Sequence, residues 1–139
     1  MLAAPDPEHV RYLAEALTEL LAAPPHRVAD LKRNPLYSQF TFQGVYAISS
    51  PDDSCVLYIG KTNDGVKERG LADRIWGHAE TGSALQSSLC IERAAFSDLL
   101  VRAIRIDDSA PRGYLEHYAI AVLRPGGNRT HVRRQGQTR

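Results

Sequence analysis

Six side chains able to bind or move charge stand in one ordered series: Tyr46, Tyr58, Arg74, His78, Glu116 and Asn128. Tyr46 closes Gly-Val-Tyr, and Tyr58 opens Tyr-Ile-Gly-Lys, with Lys61 directly behind the glycine. Two phenols can form a paired hydroxyl site, or they can be the aromatics that strands ordinarily favour. Arg74 and His78 are four residues apart, so on a helix they share a face, either as a cation beside a proton acceptor or as a solvated surface. Glu116 lies in a largely apolar run. A carboxylate carried into a packed helix needs a partner or a metal; otherwise it faces water. Asn128 follows Pro125-Gly126-Gly127 and on its own reads as a turn asparagine.

The elements that must carry these residues are legible as patterns. Val10, Leu13, Ala14, Leu17, Leu20 and Leu21 recur at helical spacing over residues 8–22, with Asp6 and Pro7 as a start and Ala23-Pro24-Pro25 as a stop. Residues 26–34 read as a short second helix ended by Asn34-Pro35. Residues 40–49 alternate and are rich in aromatic and β-branched types, as are residues 55–61, and Ser50-Pro51-Asp52-Asp53-Ser54 between them is turn chemistry. This predicts a hairpin with the two tyrosines on neighbouring strands. A helix is expected over 71–80, a helical turn over 91–96, a third strand within 97–106, a turn at 107–113 and a helix over 114–124 ended by Pro-Gly-Gly. The expected fold is α/β in the α+β sense, a small three-stranded antiparallel sheet flanked by helices, in one domain of 139 residues.

Taken in order, the constellation resembles the GIY-YIG nuclease family, and its Arg-x-x-x-His spacing is most similar to the type II restriction endonuclease branch. The matching residues are Gly44, Val45 and Tyr46; Tyr58, Ile59 and Gly60; Arg74 and His78; Glu116; and Pro125 and Asn128. Val45 departs from the isoleucine of the family motif but keeps a β-branched apolar side chain. The resemblance implies an N-terminal helical extension over 1–38, a nuclease domain over 39–128 and a basic tail over 129–139. It implies a DNA endonuclease that hydrolyses phosphodiester bonds with Mg²⁺ or Mn²⁺. Glu116 would hold the metal, for which a hard oxygen ligand is suited. Arg74 would contact the phosphate, and Tyr46 would act as general base or orient the water. Tyr58 would hold a metal-bound water or the phosphate, and Asn128 would brace the site. His78 and Lys61 would lend charge or accept protons, with Lys61 at the strand end facing the phosphate, and Gly44 and Gly60 would permit close approach. The implied partner is double-stranded DNA, with a homodimer for palindromic cutting. Branched or single-stranded DNA is the alternative substrate, and a non-catalytic nucleic-acid-binding module the alternative class.

Charge and cysteine usage fit that expectation. Net charge is +1, but it divides into −4 over the first 100 residues and +5 over the last 39, a footprint a polyanion can use. Arg129, Arg133 and Arg134 would grip flanking phosphates, with Lys32 and Arg33 adding to them, while Trp76 would either stack on a base or fill the core. Cys55 and Cys90 form no Cys-x-x-Cys pair, which argues against a disulfide framework or a zinc ribbon. The charged residues among the apolar ones at the start do not form a secretory signal, and no apolar run is long enough for a bilayer, so a cytoplasmic protein without membrane contact is expected.

Overall fold

The structure is a computed structural model and describes residues 6–63, 70–80 and 93–128, with the side chains of 77–80 and 93–94 outside the description. It begins with helix α1 (Pro7–Ala22). Asp6 caps it by accepting a hydrogen bond from Glu8 N, and Pro7 costs nothing at a position whose N–H has no helical partner. The stop at Pro24-Pro25 forces an extended chain, and here the expected second helix does not form. Instead His26–Arg27 is a two-residue strand, β1, followed by a 3-10 helix over Val28–Lys32 and a four-residue helix α2 (Leu36–Gln39).

Strands β2 (Gly44–Ser49) and β3 (Val56–Lys61) form the expected hairpin, and helix α3 (Leu71–Glu80) follows. A turn of helix, α4 (Arg93–Phe96), precedes strand β4 (Leu100–Arg105). The sheet is antiparallel throughout, in the order β1-β4-β2-β3. It therefore has four strands where three were expected. The fourth is β1, which pairs His26 with Val101 and Arg27 with Leu100. Two residues directly after Pro24-Pro25 give no periodicity, so this strand is set by its partner β4 and not by its own sequence.

Residues 40–43 alternate like a strand but stay out of the sheet. Their carbonyls serve the start of α3 instead: Leu71 N donates to Phe42 O at 3.0 Å and Ala72 N to Phe40 O at 2.9 Å. Helix α5 (Ser109–Leu123) starts earlier than its apolar pattern suggested. Asp108, Ser109 and Pro111, which read as turn chemistry, are its N-cap and first turn, where proline is tolerated.

Side chains alternate across the strands. Val45, Ala47, Ile59 and Ile104 face α1 and α5 and pack with Leu13, Leu17, Leu20, Leu115 and Ala119. Tyr46, Ile48 and Val101 face the other way and pack with Val28, Leu31, Leu71, Ile75 and Phe96. The N-terminal segment thus contributes to both cores. Among the described residues no helix is long and apolar enough to cross a membrane.

Candidate active site

Antiparallel register brings the tyrosines together. Tyr46 on β2 stands opposite Gly60 on β3, and Tyr58 stands opposite Ile48. Tyr46 and Tyr58 are therefore diagonal neighbours on one face, with ring centroids 6.2 Å apart and planes at 38°. Gly60 sits between them. A Cβ there would lie 2.5 Å from the Tyr46 hydroxyl and 2.8 Å from Cε2 of Tyr58, so only glycine admits both rings. Gly44 meets backbone rather than ligand: a Cβ would run into the carbonyl oxygen of Ile104.

Two charges reach this pair from different elements. Arg74, half-buried on α3, donates a hydrogen bond to the Tyr46 hydroxyl, and its positive charge favours ionisation of both phenols. Glu116, on α5, opposes ionisation of both. Its side chain is 14% exposed, and its Oε1 lies 4.0 Å from His117 Nε2. β3 is the edge of the sheet, so the charge of a helix packed on the opposite face is felt by the same two phenols. Burial is the largest influence on each phenol and pushes both above the usual tyrosine value; for Tyr46, which is fully buried, the neighbouring Tyr58 adds to the rise. Tyr46 is thus held neutral, accepting from Arg74.

Asn128 turns out to be architecture. It is 3% exposed and ends a 3-10 turn over Gly126–Asn128. Its Nδ2 donates to Ile59 O and its Oδ1 accepts from Ile59 N, both at 2.9 Å. Ile59 lies on the edge strand between Tyr58 and Gly60, so the amide does the work of a missing neighbouring strand. Replacing it with a carboxylate removes the donor and buries a charge. Asn128→Asp is expected to cost about 2–3 kcal/mol at neutral pH, less in acid where the new carboxyl takes up a proton, as read by denaturant unfolding at both pH values.

Lys61 ends β3 directly after Gly60. It pairs with Val45, so it lies on the face opposite the tyrosines, and its Nζ donates to Asn63 Oδ1 at 2.7 Å. His78 is one turn beyond Arg74 on α3, with its side chain outside the described residues, as are Arg129, Arg133, Arg134 and Cys90. Lys32 stands 5.2 Å over the half-buried ring of Trp76, which joins the core beneath Tyr46. Cys55 is exposed with a free thiol.

The basic character of the C-terminal part is smaller at the surface than in the sequence. Arg102 is held by both oxygens of Asp53 at 2.6 Å and by Ala23 O. Arg112 is 1% exposed. Its interior position had a signal in the sequence, since Arg112, Leu115, Ala119 and Ile120 form one helical stripe.

A pH consequence follows from the raised phenols. The unfolded chain releases tyrosine protons near pH 10, while the folded chain keeps those of Tyr46 and Tyr58. The unfolded state then binds fewer protons, so stability falls as pH rises past about 10. Alkaline denaturant titrations of wild type and Tyr46→Phe should show the smaller loss in the variant.

No family model matches the chain, and no curated protein matches it.

Proposed function

We propose that the protein is a metal-dependent DNA endonuclease that hydrolyses phosphodiester bonds. The observation that carries this reading is that Arg74 and Glu116, opposite charges on two helices packed against opposite faces, both act electrostatically on the same two tyrosines, Arg74 also by a hydrogen bond to Tyr46. A purely structural ion pair has no need of two phenols, and a purely structural aromatic pair has no need of two charges. The ordered motif series supports the same reading.

The residues fit a hard divalent cation. Glu116 would supply one carboxylate ligand and Tyr58 a hydroxyl to a metal-bound water or the phosphate, a small oxygen set suited to an ion that keeps several waters. Among the described residues no three His, Cys, Asp or Glu side chains gather as a metal group, so phosphate oxygens would complete the shell. When bound, Mg²⁺ or Mn²⁺ would offset charge on the phosphoryl oxygens and on the leaving oxygen.

The chain's own groups have separable tasks. Arg74 presents a planar, permanently charged fork to a phosphate while one of its N–H groups is held by Tyr46. Tyr46 stays protonated and positions Arg74. Tyr58, only partly buried, offers the hydroxyl that meets water or phosphate. Asn128 and Gly60 keep the two rings and the edge strand in register. The attacking water's proton leaves to solvent or phosphate, since neither buried phenol is ionised at neutral pH.

Double-stranded DNA is the proposed substrate. Incubating the protein and Mg²⁺ with linear duplex, single-stranded and branched DNA of one sequence tests this. Duplex cutting in discrete bands is expected; cutting confined to branched or single-stranded DNA would replace it with a structure-selective nuclease. Binding without cutting on any substrate would replace it with a binding module.

A further inference from the structure

Among the described residues Arg112 is the largest fully buried side chain outside the Tyr46 cluster, and it has no part in the chemistry proposed for that cluster. Its guanidinium donates to three carbonyl oxygens: Nε to Ile106 O at 2.9 Å, Nη1 to Thr62 O at 2.8 Å and Nη2 to Asp107 O at 2.8 Å. Thr62 directly follows β3, and Ile106 and Asp107 directly follow β4. Thr62 in turn brackets the start of β2, donating from its N to Gly44 O and accepting from Gly44 N at Oγ1, both at 3.0 Å. Ile106 N donates to Gln43 O at 2.9 Å. One side chain thus ties the same end of three strands to the first turn of α5.

Glu116 lies one turn further along α5, and Tyr58 and Gly60 lie just before the tied end of β3. Helix α5 packs on the face opposite the phenols while β3 carries Tyr58, so a shared fixed point between helix and strand sets where the carboxylate stands. The three carbonyls are met by three separate nitrogens of one planar fork, whereas an ammonium offers its three donors from a single nitrogen and cannot reach the same three positions. We propose that Arg112 is a positioning residue of the active site, holding Glu116 in place relative to Tyr58 by clamping α5 to the ends of β3 and β4. This rests on the nuclease reading.

The test compares wild type with Arg112→Lys, and with Arg112→Gln as the second variant should the first not fold. Three readouts are taken on protein shown by its melting curve to be folded. These are plasmid cleavage against Mg²⁺ concentration, affinity for duplex DNA without metal, and Mn²⁺ line broadening of Tyr58 and Glu116 signals without DNA. Expected are a kcat at least tenfold lower, a half-saturating Mg²⁺ several-fold higher, and duplex affinity within twofold of wild type. Mn²⁺ should broaden both residues in wild type, but Glu116 more than Tyr58 in the variant. A variant with only a lowered melting temperature, and with wild-type kcat, Mg²⁺ dependence and broadening, would overturn the positioning role and leave the nuclease reading standing. Broadening in wild type without any cleavage would overturn the nuclease reading alone, and the variant's broadening pattern would still decide Arg112. Absence of both cleavage and broadening would overturn both.

Discussion

Gly60→Ala should cost about 3 kcal/mol of stability and remove nearly all activity from the fraction that remains folded. The added methyl would stand 2.5 Å from the Tyr46 hydroxyl and 2.8 Å from the Tyr58 ring. Tyr46 is fully enclosed and cannot step aside without disturbing Ile75, Leu71 and Val101 around it. Nor can β3 move outward freely, because Asn128 holds Ile59 through both backbone groups. Either the rings separate or the strand does. Both changes displace the hydroxyls that Arg74 and Glu116 act upon. Domains of this size hold only about 5–15 kcal/mol in total, so the loss is visible in a denaturant titration as a shifted midpoint with unchanged slope. Unchanged stability would mean that the strand has slack the hydrogen bonds do not suggest.

Arg74→Lys keeps the charge and is expected to lower kcat about 100-fold, equivalent to about 2.7 kcal/mol of transition-state stabilisation. A single ammonium cannot bond the Tyr46 hydroxyl and present a planar pair of donors to a phosphate together. Affinity for duplex DNA should change little, since long-range attraction depends on the charge that lysine keeps. Single-turnover cleavage beside a binding titration separates the two. A fall in affinity equal to the fall in rate would recast Arg74 as a docking residue.

The hairpin is legible in the sequence because alternation and a Ser-Pro-Asp-Asp-Ser turn are local signals, and so is α3, whose apolar stripe lies on one side. The pairing of Tyr46 with Tyr58 is legible only in part. Alternation puts them on strands, but the diagonal register that makes them neighbours depends on where Gly60 falls opposite Tyr46. Strand β1 escapes notice because two residues have no period. The start of α5 escapes because Asp, Ser, Pro and Gly serve helix starts as well as turns. The helical stripe places Arg112 on the inner face of α5, but the partners that let a charge stay there are not legible: Ile106 O and Asp107 O lie just before the helix, and Thr62 O comes from the distant end of β3. Lys61 follows Gly60 in sequence, yet alternation sends it to the other face.

The central claim is that Tyr46, Tyr58, Arg74 and Glu116 form a catalytic cluster and not a packed aromatic pair with incidental charges. Supercoiled plasmid incubated with wild type and with Glu116→Ala, each in Mg²⁺ and in chelator, tests it most directly. Wild type is expected to nick or linearise the plasmid only with Mg²⁺, and Glu116→Ala to lose at least 1,000-fold in rate while still binding DNA. Cleavage by Glu116→Ala at the wild-type rate, or no cleavage by wild type of plasmid, single-stranded or branched DNA, would contradict it.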